Sequence, residues 1–205
     1  MDFTVIIALV IAVTIHEFSH AWAANKLGDP TAKLAGRLTL NPFAHLDILG
    51  TLMLFLIHIG WGKPVPVNPQ YFRTPKRDSA ITALAGPFSN LLMAIILAIP
   101  LKYFEHFLPP VFYNVIGVIF DVSILLFAFN MLPFPPLDGS KIIGIFVPNR
   151  FHHFYLRYLE YGMRYFVFFL LFDQFILVRL LGFSFLQTFM GTIFVFLKTI
   201  LLLGT

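Results

Sequence analysis

Cysteine is absent and charge is scarce. The 205 residues include no Cys, and Asp, Glu, Lys and Arg together make up 12%. The first absence excludes a disulfide-stapled secreted domain and a zinc finger built on thiolates. The second excludes an ordinary soluble globule, in which about a quarter of the residues are charged. A disordered or collagenous chain is excluded by the 59% apolar content. Acidic residues are outnumbered, 10 against 14 Lys and Arg, for a net charge of +4. These cations lie between apolar segments rather than on one face, so they report membrane topology and not nucleic-acid binding. What the chain has in excess is phenylalanine. Its 26 Phe cannot all be hidden in a core this small, and the surplus has to face lipid.

Long apolar runs set the architecture. Residues 3 to 24 make a helix of roughly 33 Å, enough to cross a bilayer. A cleaved signal peptide competes for this segment, since Ala21-Trp22-Ala23 resembles a cleavage site. Against it, Met1-Asp2 carries no positive charge, and cleavage would discard His16, Glu17 and His20. Later spans are expected at Ala80 to Leu101, Val111 to Leu132, about Tyr165 to Leu181 and about Phe183 to Leu203. The last two are parted only by Gly182 and contain Asp173, Gln174 and Arg179.

The run Leu46 to Gly60 reaches only about 22 Å as a helix, short of a roughly 30 Å hydrocarbon core. It leads into Gly60-Trp61-Gly62-Lys63-Pro64-Val65-Pro66-Val67-Asn68-Pro69, where the prolines forbid helix and favour extended backbone. Residues 46 to 70 therefore read as a re-entrant or β-hairpin-like membrane-associated segment that does not cross. Charge counting agrees. Lys26, Lys33, Arg37, Lys63, Arg73, Lys76 and Arg77 precede the second span, and Lys141, Arg150, Arg157 and Arg164 follow the third. Only Lys102 lies in the connection between those spans. A non-crossing segment puts both basic stretches on one side, the cytoplasmic one, with the N-terminus outside and five crossings in all. The expected fold is an all-α polytopic membrane protein of about five to six transmembrane helices. It forms one domain over residues 1–205, with a core at about 3–145 and C-terminal helices at about 150–205. Phe151 to Tyr161 reads as an interfacial helix with an aromatic belt.

His16-Glu17-Phe18-Ser19-His20 fits H-E-x-x-H. On a helix the two histidines stand one above the other and reach a single metal ion, while Glu17 sits beside it as a general base. From this chain's own His and Glu frequencies a chance match has a probability of roughly 0.3%. Ionisable residues inside an apolar span are costly to bury and point to function. A hydrolytic zinc needs a third protein ligand. The candidates are His45, Asp47, His58, Asp121, Asp138, His152 and His153. Topology favours Asp138. The span before it ends on the same side as His20, the prolines of Leu132-Pro133-Phe134-Pro135-Pro136 stop the helix, and Gly139 permits a sharp turn. Two imidazoles and a carboxylate suit zinc.

Together with Gly86-Pro87-Phe88-Ser89-Asn90, these motifs resemble the site-2 protease family of intramembrane zinc metalloproteases. The likeness extends to Leu27-Gly28-Asp29-Pro30-Thr31-Ala32-Lys33, to Gly36-Arg37-Leu38-Thr39-Leu40-Asn41-Pro42 and to Gly62 through Pro69, and is to the small prokaryotic branch without PDZ or CBS domains. It covers about residues 5 to 145. The resemblance implies one zinc held by His16, His20 and Asp138, with Glu17 as general base. It also implies a substrate- or oxyanion-binding role for Asn130, and a transmembrane helix of another membrane protein as substrate. Asn90 is expected to act chiefly in helix packing beside Gly86. His45 and Asp47 are expected either as partners of the ligands or as loop residues, and His106, His152 and His153 as interfacial residues. The Pro64-to-Pro69 stretch is expected to hold an unwound substrate by strand addition, and disruption of Val65 and Val67 would test it. A zinc-binding transporter or a non-catalytic membrane scaffold is the alternative, but the first gives Glu17 no clear task. No nucleic-acid partner is expected.

Overall fold

Three long apolar helices pack into the bundle that carries everything else. A computed structural model describes residues 3–57 and 60–203. Helix α1 (Phe3–Lys26) has 24 residues, α4 (Pro75–Tyr103) has 29 and α5 (Pro110–Asn130) has 21. At 1.5 Å per residue each exceeds roughly 30 Å, and each is apolar enough to cross a bilayer. Between α1 and α4 lie the short helices α2 (Thr31–Leu34) and α3 (Ile48–Ile57). After α5 come α6 (Asp138–Ile142), α7 (His152–Glu160), α8 (Gly162–Phe172), α9 (Val178–Leu181) and α10 (Phe185–Leu201).

The bundle closes on small residues. Ala8 and Ala12 of α1 pack against Val122 of α5, with Met93 of α4 beside them. Ala94 and Ala98 of α4 pack against Phe120 and Ile124 of α5, and Phe194, Leu197 and Leu201 of α10 seal that side. Alanine lets helix backbones approach closely where lipid offers no hydrophobic drive between them. The same close approach lets α4 touch the histidines of α1.

Two expected features take a different form. Five crossings were expected, whereas three described helices satisfy length and apolarity, or four if the last pair counts as one broken span. The expected final spans coincide with α8–α9 and α10, which bend by 92° about Gly182. A π-helical turn at Asp173–Leu177 loosens the first arm, and Gly182 takes a left-handed φ of 64°. The buried Asp173 bridges the bend, accepting hydrogen bonds from Ser184 Oγ (2.6 Å) and the Phe185 amide (2.7 Å). In the segment between α1 and α4, no strand forms among the described residues. A single antiparallel bridge joins Leu46 to Gly62, and α3 is about 15 Å long.

Residues 62 to 68 run as a strap fastened to the body of the protein. The Lys63 amide donates to His45 O (2.8 Å), Lys63 O accepts from the Arg37 guanidinium, and the Asn68 amide donates to Asp29 Oδ2 (2.7 Å). Asp29 is fully buried and also accepts from Thr31 through its backbone amide and hydroxyl.

Candidate metal centre

The helical repeat of α1 brings His16 and His20 together with ring centroids 4.6 Å apart. Their Nε2 atoms lie 3.0 Å apart, and each is 3.1 Å from Asp138 Oδ2. The orientation of the rings is fixed from α4. His16 Nδ1 is 2.7 Å from Asn90 Oδ1, and Asn90 Nδ2 donates to Ala12 O at 3.0 Å, which identifies Oδ1 as the acceptor. His20 Nδ1 lies 2.7 Å from the carbonyl oxygen of Thr82. Both imidazoles therefore donate through Nδ1–H, and in their neutral forms both present an Nε2 lone pair. Two such lone pairs and a carboxylate oxygen at this separation repel one another unless a proton or a metal cation sits among them. Tetrahedral zinc with ligand bonds of about 2.0 Å separates neighbouring ligand atoms by roughly 3.3 Å, so the trio fits the ion with a small expansion.

Gly86 makes this proximity possible. A Cβ at that position would lie 2.3 Å from His20 Nε2 and 2.7 Å from His16 Cε1. Pro87 follows it and deprives the turn of one amide, beside the carbonyl that receives His20.

Asp138 arrives from the far end of α5. That helix ends at Asn130, the chain turns through its prolines, and Asp138 opens α6 in a buried position. Gly139 serves this turn by a different route from the one expected. Positive φ among the described glycines is confined to Gly28, Gly36 and Gly182. At Gly139 the constraint is space, because a Cβ there would meet Leu132 O at 2.3 Å and Met131 O at 2.5 Å. Burial works against the Asp138 charge, but when a proton occupies the trio the charge of the neighbouring His20 and Nε2–H hydrogen bonds from the imidazoles outweigh it. The carboxyl thus titrates well below the usual carboxylate range. Lys141 Nζ stands 3.6 Å from its other oxygen.

Glu17 lines a cavity of about 670 Å³ with His16, His20 and Asp138. Its Oε2 accepts a hydrogen bond from the Val65 amide at 3.0 Å. Val65 and Val67 of the strap form one wall of the cavity. Asn130 lines it too, with Nδ2 donating to Leu126 O of its own helix at 3.0 Å.

The other candidate ligands are placed elsewhere. His45 is buried and bonds through Nε2 to Thr39 O (2.8 Å). Asp47 accepts from the Gly50 amide (2.8 Å) at the start of α3, and Asp121 pairs with Lys198 of α10 at 2.8 Å. His153 is exposed against Phe154, and His58 lies outside the described residues. His152 is exposed and also lines the cavity with Tyr155, Leu156 and Leu159 of α7. The signal was present as the spacing His152-x-x-Tyr155-Leu156-x-x-Leu159, one stripe of a helix. Asn90 was read as a packing residue. The structure adds its bond to His16, which depends on how α1 and α4 are rotated against each other.

Known proteins share this sequence. The chain is 40% identical over 150 residues to YwhC of Bacillus subtilis, covering 70% of this chain and 68% of that protein. It is 32% identical over 140 residues to Rip2 of Mycolicibacterium smegmatis, covering 66% of this chain and 54% of that one. It is 37% identical over 73 residues to MJ0611 of Methanocaldococcus jannaschii, covering 35% and 36%. Each of the three is provisionally named a zinc metalloprotease. The chain thus spans about two thirds of YwhC and about half of Rip2. No family profile matches it. No solved structure matches it either.

Proposed function

The chain belongs to the site-2 protease family of zinc metalloproteases, and on that premise we propose that it hydrolyses peptide bonds within or near transmembrane segments of other membrane proteins. The convergence of two imidazole lone pairs and a carboxylate oxygen, inside a helix of membrane-spanning length, carries this reading. His20 and His16 precede the end of α1 by about two to three turns, which puts the trio roughly 12 Å inside that end.

His16, His20 and Asp138 would hold the metal, kept in register by Asn90, Thr82 and the Gly86 notch. Zinc supplies Lewis acidity towards water and towards a substrate carbonyl. Glu17 takes a proton from water as the water oxygen adds to the carbonyl carbon. It returns that proton to the amide nitrogen as the C–N bond breaks, so one water is consumed across the bond. An amide NH₂ has two hydrogens, and the one that Asn130 does not use on Leu126 O is assigned to the substrate carbonyl oxygen as its charge grows. A helical substrate must unwind to expose an amide, and the wall formed by Val65 and Val67 would receive it as an added strand.

For orientation we keep the site on the cytoplasmic face of a prokaryotic cell membrane. With α1, α4 and α5 crossing and α3 too short to do so, the basic stretches after α1 and after α5 share one side, and Lys102 lies on the other. A C-terminal pair that crosses twice would complete the five-span reading.

The test is zinc content and peptide cleavage of the purified chain in detergent, with and without Glu17→Gln. About one zinc per chain is expected in both. Turnover should fall at least 100-fold in the variant, on the order of a lost general base. His16→Ala and Asp138→Ala should each lose the zinc. A folded wild type that takes up no zinc, or a Glu17→Gln protein that cleaves like wild type, would overturn the reading.

A further inference from the structure

Glu17 has one hydrogen-bond partner among the described residues, and that partner is not a side chain. The amide of Val65 donates to its Oε2 at 3.0 Å. The sequence around that amide narrows the choice of donor to one. Pro64 and Pro66 have no N–H, so in Pro64-Val65-Pro66 only Val65 can donate. A residue that precedes proline is confined to extended backbone, which restricts both Lys63 and Val65. The strap is also fastened on each side of Val65. Lys63 is held through its amide by His45 O and through its carbonyl by the buried Arg37, and Asn68 is held by the buried Asp29. The donor therefore has little freedom, whereas an unbonded glutamate side chain on a helix has several rotamers.

We propose that the Val65 backbone amide is a positioning donor for Glu17, fixing one carboxylate oxygen so that the other is presented to water beside His16 and His20. This rests on the proteolytic reading above. It gives the alternate prolines a task apart from strand addition: they leave a single amide at the centre of the strap, and it is already engaged by the base. A substrate strand added to this wall would then use groups other than the Val65 N–H.

Val65→Pro deletes that one hydrogen and suits extended backbone, and Val65→Ala keeps the hydrogen while trimming the side chain. Full-length, zinc-loaded protein in detergent would be assayed on a quenched-fluorescent synthetic peptide carrying one apolar helix interrupted by Asn-Pro-Gly. Val65→Pro is expected to keep its zinc and its KM while kcat falls roughly 10- to 100-fold, the scale of a displaced catalytic group. Val65→Ala, which keeps the hydrogen, should lose less kcat than Val65→Pro. A second measurement does not need the proline variant to fold. In ¹⁵N-valine-labelled protein, the Val65 amide signal, assigned by its absence from Val65→Ala, should move upfield in Glu17→Ala. An unmoved signal would overturn the proposal. So would a Val65→Pro enzyme with wild-type kcat, above all one in which KM rises while kcat stays unchanged, since that result makes the amide a substrate contact. A zinc-loaded wild type that leaves the peptide uncut would instead count against the protease reading, which separates the two failures.

Discussion

At the scale of single residues, the candidate centre depends on side chains outside the His16, His20 and Asp138 trio. Asn90 is fully buried and sets the tautomer of His16. Asn90→Ala should weaken zinc affinity by roughly 10- to 100-fold, measured by competition with a chromophoric chelator, because that is the usual cost of losing such a partner. Gly86→Ala should abolish stoichiometric zinc, since its methyl would occupy the space of His20 Nε2. Gly117→Ala is the control, because the nearest neighbour of its Cβ is 3.9 Å away. Retention of zinc by Gly86→Ala would show that α4 can retreat from α1. The proposed ligands were legible in the sequence, two through their spacing on one helix and Asp138 through the side on which its helix ends. Asn90, Thr82 and Gly86 were not legible in these roles, because their parts arise only when two helices meet at one rotation. The turn at Gly139 was legible, but its cause was not, for a similar reason. A glycine beside a turn suggests a special φ, and only the packed backbone shows that the missing Cβ is what counts.

At the scale of elements, the strap and α7 turn a pair of helices into a walled cavity. Asp29 holds the strap by accepting from Asn68 and from Thr31. Asp29→Ala leaves buried donors unpaired and should cost about 1–3 kcal/mol of stability. It should also speed tryptic cleavage after Lys63, seen by limited digestion and mass spectrometry. Unchanged cleavage would mean that Arg37 and His45 suffice to hold the strap. Hydropathy located α1, α4 and α5 because each is a long uninterrupted apolar helix. It marked α8 to α10 as two apolar segments but not their relative direction, because a running average counts apolar length and is blind to direction. The bend there comes from one left-handed glycine, one π turn and the buried Asp173, which in the sequence looked only like a charge of uncertain place.

At the scale of the molecule, α10 is tied to the bundle by charge as well as by packing. Asp121 and Lys198 pair at 2.8 Å on helices that carry no other charge. Removing one member strands the other, so Asp121→Leu alone should lower the melting temperature in detergent more than Asp121→Leu combined with Lys198→Met. The reverse order would show that the pair adds nothing to the docking of α10. The phenylalanine surplus is accounted for at this scale as well, with Phe168, Phe172, Phe175 and Phe196 all exposed on the C-terminal helices.

The residues that meet at the centre are far apart along the chain: Asp138 is separated by 122 positions from His16 and by 118 from His20. A ribosome adding about 5 to 20 residues per second makes the aspartate roughly 6 to 24 s after the histidines. Through most of that interval α1 is available to enter the bilayer, and α4 joins it before the end, but the third donor does not yet exist. On the proposed function, a centre assembled in this order would be silent while the chain is being made, and nascent helices would be safe from it until the last corner of the triangle has been translated.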